Sequence, residues 1–395
     1  MTVPDVSVVI AVRDAPPRLA DSLASLAGQT LGAGRLEVVA VAHGPAGGGA
    51  ELARLASLHP GLLRVAPPPP GAGGPAGAAD HGTALAAGRY VLRLPAGDRL
   101  GAEALERLVA TADRLGSDVV LPLPVGPDGR ARRHGIFAAP ADRVSRTDPA
   151  LPWALSETML VRRELITGHG LRRRPDLPVH AEQVFAVAAL LHARRISVTT
   201  DYGYLLPAHR TVPRAEPGEV LRGVRAVQEV VERLTGPGPE RDAIHGRYFG
   251  WELPQLLQPP FLALDGPEQL AVLAETGRLV DRYCSPALFV RLPVADRLRL
   301  ALARRGELAA LRGLIAHEAV HGPPPEVRRG GRSYAGYPAF RDPALGLPDA
   351  LFELPGGPAV RPPGWRRLVP RQVRREARRW RRAWRDARPA KAAGS

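Results

Sequence analysis

One cysteine, one lysine and two methionines stand in a chain of 395 residues. The single cysteine, Cys284, excludes an internal disulfide. No run approaches the roughly eighteen consecutive apolar residues that a membrane-spanning helix requires. The opening MTVPDVSVVI has neither the basic start nor the long apolar stretch of a secretory signal. These absences predict a cytoplasmic protein. Lys391 is the one lysine among 54 basic residues, a skew that reflects a chain-wide bias toward Arg, Ala, Gly and Pro. Gly and Pro, 42 of each, are too few to signal disorder, and 45% hydrophobic content fits a packed chain long enough for two domains.

The net charge of +15 is uneven. Between Trp365 and Ser395 twelve basic residues face only Glu376 and Asp386, so most of the excess belongs to a tail. In that tail Val373, Ala377, Trp380 and Trp384 recur with helical spacing and put two indoles on one face among arginines. Three readings fit. It can lie on an anionic membrane or polymer surface, remain a solvated basic end, or bind nucleic acid through phosphates, the least favoured.

Strand-like and helix-like segments alternate over the first 125 residues, as a parallel sheet with helical crossovers requires. Val6 to Val12 is a buried-strand run. Leu19, Leu23 and Leu26 share a helical face, with Asp14 as the expected N-cap and Gly28 as the stop. Leu36 to Ala42, Leu62 to Ala66, RYVLRL and SDVVLPLP read as further strands. A helix is expected near Glu51 to Leu58, and another carries Leu105, Leu108, Val109, Ala112 and Leu115. Pro67 to Gly77 reads as a loop before an Ala-rich helix ending at Gly88. Beyond Glu216 strands nearly vanish, and helical stretches are expected at 220–234, 268–282 and 294–319. The boundaries are set at 1–215, 216–355 and a tail at 356–395.

The order VSVVIAVRDAP…LASLAGQT, then Gly82…Gly88-Arg89-Tyr90-Val91, then SETMLVRREL…GLRRRPDLPVHAEQVF, resembles the inverting family 2 glycosyltransferases over residues 5 to 210. ADRLRLALARRGELAALRGLIAHE and RSYAGYPAFRD are similar, more weakly, to the linker region of actinobacterial-type wall teichoic acid glycosyltransferases. The resemblance implies an α/β fold: a GT-A, Rossmann-like nucleotide-diphospho-sugar transferase domain followed by a mainly α-helical domain. It also implies a nucleotide-sugar donor, a cell-envelope polyol-phosphate or polysaccharide acceptor, and Mg²⁺ or Mn²⁺ to neutralise the leaving diphosphate. With the basic tail, it implies a location at the inner face of the cell membrane.

The sequence departs from the family where its carboxylates are expected. Ala42-His43 replaces an Asp pair after the second strand, leaving His43 as a donor contact or a loop residue. Pro95-Ala96-Gly97-Asp98 replaces Asp-x-Asp-Asp, leaving Asp98 as the metal ligand or as the N-cap of a helix near Gly101. Ala79-Asp80 replaces Arg-Asn. Glu182-Gln183 replaces Glu-Asp, and an amide cannot act as a base, so Glu182 or His180 is the expected general base. Arg13, Asp14, His43 and Asp80 are expected to line the donor pocket. A glycosyltransferase is the favoured reading, and a catalytically silent, glycosyltransferase-like scaffold is the alternative. A distant third is a zinc protease through His317-Glu318-Ala319-Val320-His321, a literal H-E-x-x-H. Against it, Gly322-Pro323-Pro324-Pro325 would stop the helix at the second histidine.

Overall fold

Runs of valine, leucine and isoleucine build the centre of the first domain. The structure is a computed structural model, and it describes residues 3–13, 18–44, 49–67, 74–126, 130–133, 135–205, 215–337 and 345–356. It packs as two compact units, residues 1–241 and 242–395.

In the first unit β1 (Val6–Arg13) is buried at every position but its last, as a strand covered by helices on both faces must be. The other strands are β2 (Leu36–His43), β3 (Leu63–Ala66), β4 (Tyr90–Arg93), β5 (Arg99–Leu100), β6 (Val119–Val125), β7 (Leu160–Arg162) and β8 (Ile196–Leu205). They form one mixed sheet in the order β3-β2-β1-β4-β7-β6-β8-β5. The half from β3 to β4 is parallel, as the alternation predicts. β7 then runs antiparallel to both β4 and β6. The helices of this unit are α1 (Leu19–Ala27), α2 (Gly49–Leu58), α3 (Gly74–Leu85), α4 (Ala104–Leu115), α5 (Arg163–Gly168), α6 (Ala181–His192) and α7 (Pro217–Leu234).

Leu19, Leu23 and Leu26 of α1 are buried, as their spacing predicts. The stretch expected to be a loop through Gly77 is already helical from Gly74, because Pro75 falls in the first turn, where its missing N–H costs nothing. The spacing Gly82…Gly88 has a packing cause. A Cβ on Gly82 would lie 2.6 Å from Val9 Cγ1, and one on Gly88 2.6 Å from the Ser7 nitrogen. α3 therefore lies directly on β1, and the turn into β4 rests against the backbone of β1.

α8 (Pro239–Arg247) spans the division between the units. The second unit continues with α9 (Leu253–Leu256), α10 (Gly266–Tyr283), α11 (Pro286–Phe289), α12 (Val294–Arg305) and α13 (Leu308–His321). Tyr248, Phe249, Leu253, Phe261, Leu300 and Leu314 are among its fully buried side chains. The helical stretch expected over 294–319 is two helices, broken at Gly306. Strands do not vanish entirely: β9 (Glu326–Arg329) and β10 (Arg332–Ala335) form an antiparallel hairpin. By packing, α7 sits in the first unit, although the sequence reading starts the helical domain at 216.

Candidate functional site

β1 and β2 pair in a register that sets Arg13 opposite His43. Both residues close their strands at the carboxyl edge of the sheet. β2 and β4 flank β1 on opposite sides, so the strand order reverses here. Open α/β sheets bind their ligands at such a point. His43 is buried and Arg13 exposed. Asp14, expected as a donor contact and helix cap, lies outside the described residues, and α1 begins after Arg18 instead.

Asp80 comes from α3, the helix laid on β1. Its carboxylate accepts from the Arg173 backbone N–H at 2.9 Å and from the Arg173 guanidinium at 2.8 Å. Arg173 is only 4% exposed and stacks over the Phe185 ring at 4.3 Å. Burial lowers the proton affinity of this guanidinium, while the Asp80 and Glu182 carboxylates oppose the shift. Arg173 thus ties Asp80 to the start of α6. The sequence reading did not assign it. The run Arg172-Arg173-Arg174 gave no signal for it, because only burial singles out the middle residue.

His180 immediately precedes α6 with φ at 64°. It is the one residue other than glycine with positive φ among the described residues. Gly223 of α7 makes room for it, because a Cβ there would meet the Val179 oxygen at 2.8 Å and His180 Cβ at 2.9 Å. Glu182 follows in the first turn of α6, half-buried. Gln183 faces inward, with 8% exposure. The structure therefore gathers Asp80, Arg173, His180 and Glu182 around one helix start, and sets Arg13 and His43 together at the strand ends.

Asp98 closes a turn in which its N–H donates to the Pro95 oxygen at 3.0 Å and the Gly97 N–H donates to Ser22 Oγ at 2.8 Å. The residue is fully buried. It does not cap α4, which begins at Ala104 after Glu103. Arg93, at the end of β4, forms a largely buried ion pair with Glu157 of the SET segment. Among the described residues no three His, Cys, Asp or Glu side chains come together as a metal site. One buried carboxylate, flanked by proline and glycine where the family has acids, does not fit a protein-built Mg²⁺ or Mn²⁺ site.

The H-E-x-x-H segment is likewise no zinc site. Glu318 receives both the Arg299 guanidinium and the Tyr337 hydroxyl, so it is not available as a base. α13 ends at His321. The Trp-Arg tail lies outside the described residues. No helix among those described is long and apolar enough to cross a membrane.

The fold of the first unit is of the GT-A type. Residues 7–140 match the glycosyl transferase family 2 model, and residues 217–315 match the glycosyl transferase TarS linker domain. The chain thus carries a region similar to the family 2 glycosyltransferases, followed by one similar to the TarS linker domain. A poly(ribitol-phosphate) beta-glucosyltransferase of Bacillus spizizenii is 25% identical over 199 residues, 50% of this chain and 31% of the relative. The poly(ribitol-phosphate) beta-N-acetylglucosaminyltransferase TarS of Staphylococcus aureus is 28% identical over 148 residues, 38% of this chain and 26% of that protein. The chain thus spans less than a third of the length of these curated relatives. The crystal structure of S. aureus TarS 1-349 in complex with UDP-GlcNAc superposes with a TM-score of 0.73 at 20% identity, covering 84% of this chain and 97% of that one. That likeness establishes the fold.

Proposed function

We propose that this chain transfers a sugar from a nucleotide-sugar donor to a polyol-phosphate or other anionic cell-envelope acceptor. The observation that carries the proposal is Glu182, a half-buried carboxylate in the first turn of α6, beside the Arg173–Asp80 pair. The relatives' names, which specify poly(ribitol-phosphate) acceptors, support the acceptor class.

In this reading the acceptor hydroxyl oxygen attacks the anomeric carbon of the donor. Its proton passes to a Glu182 carboxylate oxygen. The bond from that carbon to the diphosphate oxygen breaks, and the nucleoside diphosphate leaves with the electron pair. Attack opposite the leaving group inverts the configuration. Arg13 and His43 receive the donor at the strand ends, where the cationic guanidinium favours a diphosphate. Arg173 positions Glu182 through charge, and His180 sets the entry of the chain into α6.

A second reading, a silent scaffold, is favoured by Pro95, Gly97 and Gln183 standing where the family resemblance places acids. The experiment that separates the two is nucleoside-diphosphate release from a panel of donors with a polyol-phosphate acceptor. Turnover is expected from the wild-type chain. Glu182→Gln is expected to lower kcat about 10²- to 10⁴-fold, with KM for the donor little changed. Silence of the wild type on every donor would leave the scaffold reading.

A further inference from the structure

The second unit holds a cavity of about 420 Å³ lined in part by Val290, Arg291, Arg297, Glu353, Leu354 and Pro355. Arg297 lies in the first turn of α12 and is 3% exposed. Its Nη1 donates to the Val290 oxygen at 3.2 Å and its Nη2 to the Glu353 backbone oxygen. Its Nε has no hydrogen-bond partner. Among the described residues no carboxylate forms an ion pair with it. The Glu353 carboxylate pairs with Arg332, at 3.3 Å, and reaches Arg297 only as a charge at longer range.

This placement breaks two rules at once. A buried cation without a paired anion is costly, and a cation in the first turn of a helix faces the positive end of the helix dipole. Both penalties shrink when an anion enters the cavity. Arg291, exposed on the same cavity wall and without an ion pair among the described residues, adds a second cation. One wall is the segment from Glu353, which is held by the hairpin: the Leu354 N–H donates to the Ser333 oxygen and Tyr334 bridges to Glu353. Along that hairpin Arg328 and Arg332, both mainly exposed, are paired with Glu326 and Glu353. Val290, Leu354 and Pro355 supply apolar surface for a carbon chain between the charges.

We propose that this cavity is a subsite for a phosphodiester of a polyol-phosphate chain, held by Arg291 and Arg297. The choice of chain rests on the acceptor class proposed above. The test is binding of a fluorescent polyol-phosphate oligomer to the full chain over a range of salt concentrations, with an uncharged polyol oligomer and inorganic phosphate as comparators. Arg291→Ala, at an exposed position, is expected to weaken oligomer binding about 5- to 10-fold. It should also flatten the salt dependence by about one unit of log–log slope, as loss of a phosphate contact does. Arg297→Gln is expected to weaken it further, provided its melting temperature shows that it folds. Unchanged affinity in Arg291→Ala would overturn the subsite, and so would inorganic phosphate binding as tightly as the oligomer. Sugar transfer to a single polyol-phosphate unit, measured on the same preparations, reports on the proposed activity alone. If the wild type lacks that transfer, the activity fails while the binding result still decides the subsite.

Discussion

His180 holds a backbone conformation that costs an L-residue about 1 kcal/mol or more, and it does so at the entrance to the helix that carries Glu182. Strain of this kind persists where surrounding packing enforces it, and it concentrates at functional sites. The cost belongs to the Cβ, so it separates from any role of the imidazole. His180→Gly is expected to be more stable than His180→Ala by about 1 kcal/mol, read from urea unfolding. Equal stabilities would contradict the left-handed geometry. Both variants remove the ring, so a loss of turnover common to the two reports on the imidazole and not on strain. Arg173 shows the limit of reading single residues from sequence. Three successive arginines look alike as letters, and only burial distinguishes the one that meets Asp80 from its solvated neighbours.

At the scale of elements, α7 shapes the site by what it omits. Gly223 lets the helix close on Val179 and His180, while Gly218 in the same helix faces open space. Gly223→Ala is therefore expected to cost about 1–3 kcal/mol through overpacking and to lower turnover by displacing the start of α6. Gly218→Ala should be neutral or stabilising by about 0.5 kcal/mol. Thermal melts and rates of the two variants check this, and matching behaviour would show that α7 does not press on His180. The major strands were legible because their apolar runs are continuous and both of their faces are buried. β7 was not, because its three residues pair between longer strands with no pattern of their own. The β9–β10 hairpin was missed for a different reason. EVRR and RSYA offer no apolar alternation, and the Gly330-Gly331 turn sets their pairing instead.

For the whole molecule, the cationic character is carried almost entirely by arginine, while the acids expected to gather a cation are dispersed or engaged. The protein without nucleotide is therefore expected to bind Mn²⁺ weakly, with a free-ion spectrum by electron paramagnetic resonance up to millimolar concentrations. A bound spectrum should emerge only when nucleoside diphosphate supplies phosphate oxygens. Tight Mn²⁺ binding by the protein alone would show a carboxylate site beyond the described residues. The fate of Asp98 explains why sequence alone could not settle this. A motif shows that a carboxylate is present, but whether it faces a ligand or the interior depends on the turn that carries it. Gln183 extends the point. Its position faces inward, so restoring an acid there would bury a charge where an amide now sits, and desolvation would hold that acid in its protonated form. A Gln183→Asp replacement is thus expected to restore the letter without the chemistry, because the interior around α6 that accepts an amide does not accept a charge.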